Sequence, residues 1–271
     1  MTVEATTDGE DRQERAALAE RAGVELQERL DTLLGERFRQ TAKRPRDGAG
    51  WVDVSAYEVS TPDPRRSLEP GADDFVMSTA TVAAAVGRLA LRERADGEPV
   101  GVAVTRVLAG LVDADPDASW FADWYADELD RSGRAAVAAA ATTWATGALA
   151  AVGGRRLVWA VRRESYDVPG RTLRLRTNWD ASDRAARPDV LLVMSGRAPS
   201  DPAAALVAGF NALGDGLLRH QVPARVRIGS ASTVSTTAFP VTWELLDTTI
   251  DRVVEVVRCR TDPDHPCTEN V

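Results

Sequence analysis

Residues 157–180 read LVWAVRRESYDVPGRTLRLRTNWD. Apolar and polar side chains alternate over 157–168 and again over 172–180. A period of two places the apolar set on one face of an extended chain. Between the two runs stand Tyr166-Asp167-Val168-Pro169-Gly170-Arg171. Proline fixes φ and glycine accepts positive φ, so this stretch turns the chain back and the segment reads as a β-hairpin. Soon after comes Val190–Met194, VLLVM. A short unbroken apolar run of this kind suits a strand covered on both faces.

Downstream of that run, the spacing predicts a helix over 202–220 and a strand over 224–228. A polar Ser/Thr segment follows over 230–237, and Pro240 opens a final helix over 241–258. Upstream, residues 133–152 form an Ala-rich helix that Gly153-Gly154 stops. Before it come an aromatic-rich helix over 117–131, with Trp120, Phe121, Trp124 and Tyr125, and a helix over 101–112. A helix over 79–94 begins at Ser78, whose hydroxyl suits an N-cap. The tryptophans at helical and strand spacing read as core residues rather than base-stacking platforms.

Residues 43–74 are rich in Pro, Gly, Asp and Arg and read as loop, with one short strand over 51–59. Residues 10–41 carry Leu18, Ala22, Val24, Leu26, Leu30, Leu33, Leu34 and Phe38 at helical spacing, with charges opposite. Such an amphipathic helix either docks on its own core or serves as an arm for a partner. The division this suggests is an N-terminal extension, 1–74, and an α/β domain, 75–271. Helices, three strands, a helix, a strand and a helix predict a mixed central sheet flanked by helices.

Composition narrows the function classes. With 44% hydrophobic residues the chain can build a sizeable core. A net charge of −8 argues against a protein that coats nucleic acid indiscriminately, although it permits a local basic groove. The run over 135–151 is broken by Thr142, Thr143 and Gly147, so it reads as a buried helix and not a membrane span. A cytoplasmic location without membrane contact is expected. The two cysteines, Cys259 and Cys267, are too few for a disulfide scaffold or a four-cysteine metal site. His265 between them, with Asp262 or Asp264, matches no familiar zinc spacing. Of the 33 basic residues the only lysine is Lys43, which lies outside every predicted element of the sheet.

The motif order resembles the PD-(D/E)XK nuclease superfamily, in particular its RecB-like branch, from about residue 75 to 267. Ser78-Thr79-Ala80-Thr81-Val82 matches the segment that opens a helix in that branch. The family's G-x-x-x-H corresponds to Gly101 through Thr105. Its G-R-V-D at the end of the second hairpin strand corresponds to Thr177-Asn178-Trp179-Asp180. Its D-x-K-T-G corresponds to Leu192-Val193-Met194-Ser195-Gly196. The Q-x-x-x-Y helix motif has no counterpart over 203–218. A cysteine cluster that holds an iron–sulfur centre in some members is reduced to Cys259 and Cys267, so no such cluster is expected.

The resemblance implies a restriction-endonuclease-like α/β core with degenerate chemistry. Family members bind Mg²⁺ or Mn²⁺ through carboxylates, and a lysine orients the attacking water. Here the histidine is Thr105, the second carboxylate Leu192 and the lysine Met194, leaving only Asp180 as a relic metal ligand. Each lost electrostatic group typically costs about 10²–10³-fold in rate. The expectation is therefore a non-catalytic protein without a metal cofactor, binding DNA or scaffolding a partner in repair, recombination or phage defence. That partner would be a helicase or an active nuclease subunit. Arg162, Arg163, Arg174 and Arg176 on the hairpin, with Arg197, are the DNA-contact candidates; Arg171 lies in the turn. Two alternatives stand beside this. One is an active Mg²⁺- or Mn²⁺-dependent nuclease using Glu164 and Asp180, with Arg197 in place of the lysine. The other is a purely structural interaction subunit.

Overall fold

The computed structural model describes residues 4–34, 52–61, 78–110, 119–153, 155, 157–170, 173–184, 188–194 and 202–262. Helix α1 spans Glu4–Leu34, strand β1 Val52–Ser55 and helix α2 Ala56–Ser60. Helices α3, Thr79–Glu93, and α4, Val100–Gly110, follow. Then come α5, Ser119–Asp123, a π-helical turn, Trp124–Glu128, and α6, Arg131–Val152. The second half contains β2, Val158–Asp167, β3, Leu173–Ser182, β4, Val190–Met194, α7, Pro202–Arg219, β5, Arg225–Ser230, β6, Ser235–Pro240, and α8, Trp243–Thr261.

Local chemistry sets several boundaries. Ser78 Oγ accepts from Thr81 N at 3.2 Å and starts α3. Asp130 Oδ1 accepts from Gly133 N at 2.7 Å and starts α6. Gly153, at φ 66°, takes the left-handed turn that ends α6. Thr242 Oγ1 accepts from Leu245 N at 3.3 Å and starts α8.

The six strands form one mixed sheet. β2 and β3 are the expected antiparallel hairpin, and β3 pairs antiparallel with β4. β4 runs parallel to β5, with α7 as the crossover, and β6 closes the far edge against β5. β1 pairs in parallel with β3 at residues 173–176, whereas β4 meets β3 only at Ala181 and Ser182. Helices α1, α7 and α8 pack on one face, and α3 and α6 on the other.

Four expectations differ in detail. The Ser/Thr segment supplies an edge strand, because its residues pair with β5 from Ser235 to Pro240. Pro240 therefore ends a strand, a position where its missing N–H is tolerated, and the last helix begins at Trp243. The strand expected over 51–59 is extended only to Ser55; Glu58 then accepts from Ser55 N at 2.7 Å and turns the chain into α2. The aromatic segment breaks after the π-helical turn instead of running continuously to residue 131.

Helix α1 docks on its own core. Ala19, Ala22, Leu26 and Leu30 are buried with Val54, Phe210, Leu246 and Ile250 in one cluster. Arg29 reinforces the contact through Asp247 and Asp251, both at 2.5 Å, and Arg21 lies 3.5 Å over the Trp243 ring. Residues before position 75 thus share a core with residues after it.

Helix α6 is long and apolar enough to cross a membrane by length and composition. Its Val137, Ala141, Ala145 and Ala148 are buried against α3 and the sheet. Gly147 lets it approach the β5–β6 turn: a Cβ there would lie 2.2 Å from Ala231 O.

Candidate functional site

β3 has an interrupted edge between β1 and β4, spanning residues 177–180. Backbone groups at such a gap need partners from side chains. Asn211 Oδ1 of α7 accepts from Asn178 N at 2.9 Å. Asp180 Oδ2 accepts from Met194 N at 2.6 Å, so its carboxylate extends the β3–β4 ladder where the strands part. On the other edge of β3, the register of β2 shifts between Trp159 and Arg162, opposite Asp180. A bulge re-aims side chains. Trp179 points into the α7 side of the core and Ala181 into the α6 side.

The second oxygen of Asp180 is also taken. Arg88 Nε of α3 donates to Oδ1 at 2.5 Å, and Arg88 Nη2 donates to Met194 O at 3.3 Å. The guanidinium lies 4.8 Å from the Trp144 ring centroid, which holds its plane against α6. Asp180 is 6% exposed. A buried carboxylate needs a cation or several donors, and here an arginine and a backbone N–H supply both.

Three of the four positions assigned by resemblance come together here. Leu192 and Met194 are buried beside Asp180 with Leu91, Ala145, Ala148 and Ala181. Thr105 does not join them: it is exposed on α4, where its hydroxyl donates to Gly101 O at 2.8 Å. The donor set does not fit a divalent cation. Mg²⁺ and Mn²⁺ take oxygen ligands, while the site offers one carboxylate already bonded to a guanidinium, flanked by a leucine and a methionine side chain. Among the described residues, no group of three His, Cys, Asp or Glu is placed to hold a metal ion.

Glu164 lies on the opposite face from Asp180. Its carboxylate accepts from Arg219 Nη2 of α7 at 2.8 and 3.0 Å. Arg219 Nε sits 2.8 Å from Asp215 Oδ1, although the pair is not aligned for a hydrogen bond. Asp215 is 1% exposed. Burial pushes its pKa up to about 6, and Glu164 adds to the rise while Arg219 opposes it. The Glu164 and Asp180 carboxylates therefore do not converge on one reacting atom.

The hairpin arginines are partly neutralised. Arg174 Nε pairs with Asp167 at 2.9 Å, and Arg176 pairs with Asp53 of β1. Arg163 is exposed on the same face. The side chain of Arg162, and all of Arg171 and Arg197, lie outside the described residues, as do His265 and Cys267. Cys259 is buried on α8.

Sequence reasoning missed Arg88, Arg219 and the arginines of β5. Arg88 carried one signal, the single charge within the apolar run from Val82 to Leu91 of α3. Compared with protein-family models, curated proteins and solved structures, the chain matches none.

Proposed function

We propose that this chain is a non-catalytic, RecB-like nuclease-fold protein, acting as a DNA-binding or scaffolding subunit beside an active partner. One observation carries the reading. At the position that the resemblance assigns to metal ligation, the Asp180 carboxylate is consumed by Arg88 and by Met194 N–H. Leu192 and Met194 flank it with apolar side chains. An internal guanidinium occupies the electrostatic role of the cation.

Support for the fold assignment comes from the order α6, β2, β3, β4, α7, β5, with an antiparallel meander followed by a parallel crossover. β3 and β4 part at Asp180, the strand position to which the resemblance assigns the metal ligand.

A purely structural role is the second reading. The neutralised Arg174 and Arg176 favour it, together with the net charge of −8. Incubation with single-stranded and duplex DNA in Mn²⁺ is expected to give no cleavage. Robust cutting that disappears in Asp180→Ala would overturn the non-catalytic reading. DNA affinity at low and moderate salt separates the two roles, because phosphate contacts weaken steeply with salt.

A further inference from the structure

Strand β5 turns Val226 and Ile228 into the core beneath α7 and α8. Alternation then sends Arg225 and Arg227 to the opposite face, on the α6 side. The register sets Arg225 beside Val190 and Pro240, and Arg227 beside Leu192 and Ala238. None of these neighbours can neutralise a cation. Arg155 follows the end of α6 and is exposed. Burial lowers the pKa of Arg227, and the charges of Arg155 and Arg225 lower it further, so both cations act on Arg227.

Elsewhere the protein pairs its arginines generously: Arg29 alone meets Glu25, Asp247 and Asp251. Among the described residues, no hydrogen bond or ion pair joins Arg155, Arg225 or Arg227 side chains to a carboxylate. The Nε of Arg227 is buried and has no hydrogen-bond partner. This is an unusual arrangement in a chain with 41 acidic and 33 basic residues. The C-terminal end of α6 offers only partial negative charge, and one of its carbonyls, Ala151 O, already accepts from Thr236 Oγ1 at 3.4 Å.

We infer that Arg155, Arg225 and Arg227 form a binding site for a phosphate group on the α6 face of the sheet. A multiply charged oxyanion offsets the repulsion that Arg155 and Arg225 exert on Arg227 and offers an acceptor to its unused Nε–H. Planar guanidinium donors match phosphate oxygens in geometry as well as charge. The phosphate comes from a nucleic-acid backbone or from a free phosphate ligand. The site needs no metal and stands independently of the nuclease-like reading.

The test compares the full chain with Arg225→Gln/Arg227→Gln and with an Arg12→Gln control, an exposed position on α1, at matched ionic strength. Inorganic pyrophosphate is expected to raise the melting temperature of the wild type and the control saturably, by about 3 °C. The double variant is expected to show no such rise. Without pyrophosphate it should melt at or above the wild type, because like charges have been removed. A short single-stranded oligonucleotide identifies the source. With a backbone ligand, the salt-dependence slope of binding falls by about 1.4 in the double variant, for two lost contacts. With a free phosphate ligand, the oligonucleotide fails to displace pyrophosphate. The inference is overturned if neither pyrophosphate nor the oligonucleotide distinguishes the double variant from the wild type. DNA cleavage enters neither readout, so this result is separate from the test of the non-catalytic reading.

Discussion

Arg88 of α3 and Asp180 of β3 are joined by a 2.5 Å contact that ties the helical layer to the sheet where β3 and β4 part. The side chain of Asp180 is 8% exposed and that of Arg88 26% exposed. The same carboxylate holds Met194 N, so one residue serves both an ion pair and a strand ladder. Neutralising both partners differs physically from removing one, because a single removal leaves a buried charge uncompensated.

Arg88→Met is therefore expected to lower stability by about 2–4 kcal/mol. Adding Asp180→Leu to that variant should restore part of the loss, with strong non-additivity. Urea unfolding of the four proteins in the double-mutant cycle measures it. Additive losses would show that the two side chains do not act as a pair.

Asp215 gives the protein a pH signature. Its folded-state pKa, about 6, lies above the ordinary 3.8. The unfolded chain then releases this proton first, so the group contributes full stability below the unfolded pKa. That contribution is lost as pH rises through the folded pKa. Asp215→Asn should resemble the wild type near pH 4 and gain on it by about 1–3 kcal/mol as the pH reaches 7. Denaturation of both proteins across that range checks the sign. A constant difference would remove Asp215 from the account.

Close packing makes a sharper prediction at Gly147. A methyl group there meets backbone, Ala231 O at 2.2 Å, which no rotamer change relieves. Gly147→Ala is expected to cost about 2 kcal/mol or more. Gly9→Ala, on an open part of α1 with nothing within 4 Å, should gain about 0.5–1 kcal/mol. Thermal melts of the two variants should move in opposite directions.

The docked N-terminal helix can be tested at Leu26, which is 1% exposed. Leu26→Ala should cost about 2–4 kcal/mol through lost burial and a cavity. Hydrogen exchange in α1 should then accelerate relative to β3. An unchanged melting temperature would mean that α1 contributes little to the core.

Much of the fold was legible because short-range physics writes it. The alternation around Pro169-Gly170 specified the β2–β3 hairpin, and the VLLVM run specified β4. Ser78 marked the start of α3, and Gly153 the end of α6. Pro240 misled because proline suits both a helix start and a strand edge, and the pairing of β6 with β5 is not visible locally. Amphipathic spacing showed that α1 had an apolar face, without saying what would cover it.

The site divides in the same way. Positions 105, 180, 192 and 194 were assigned by resemblance alone, and side-chain identity there says only that Leu192 and Met194 offer neither an oxygen ligand nor a lysine. Only the tertiary structure decided that Arg88 would answer the Asp180 charge, that Glu164 and Asp180 would face opposite layers, and that the charge of Arg155 would act on Arg227. Periodicity fixes which side of its own element a residue faces. The partner across the interface depends on how layers stack and where strands diverge, and those contacts join residues as far apart in sequence as Arg88 and Asp180.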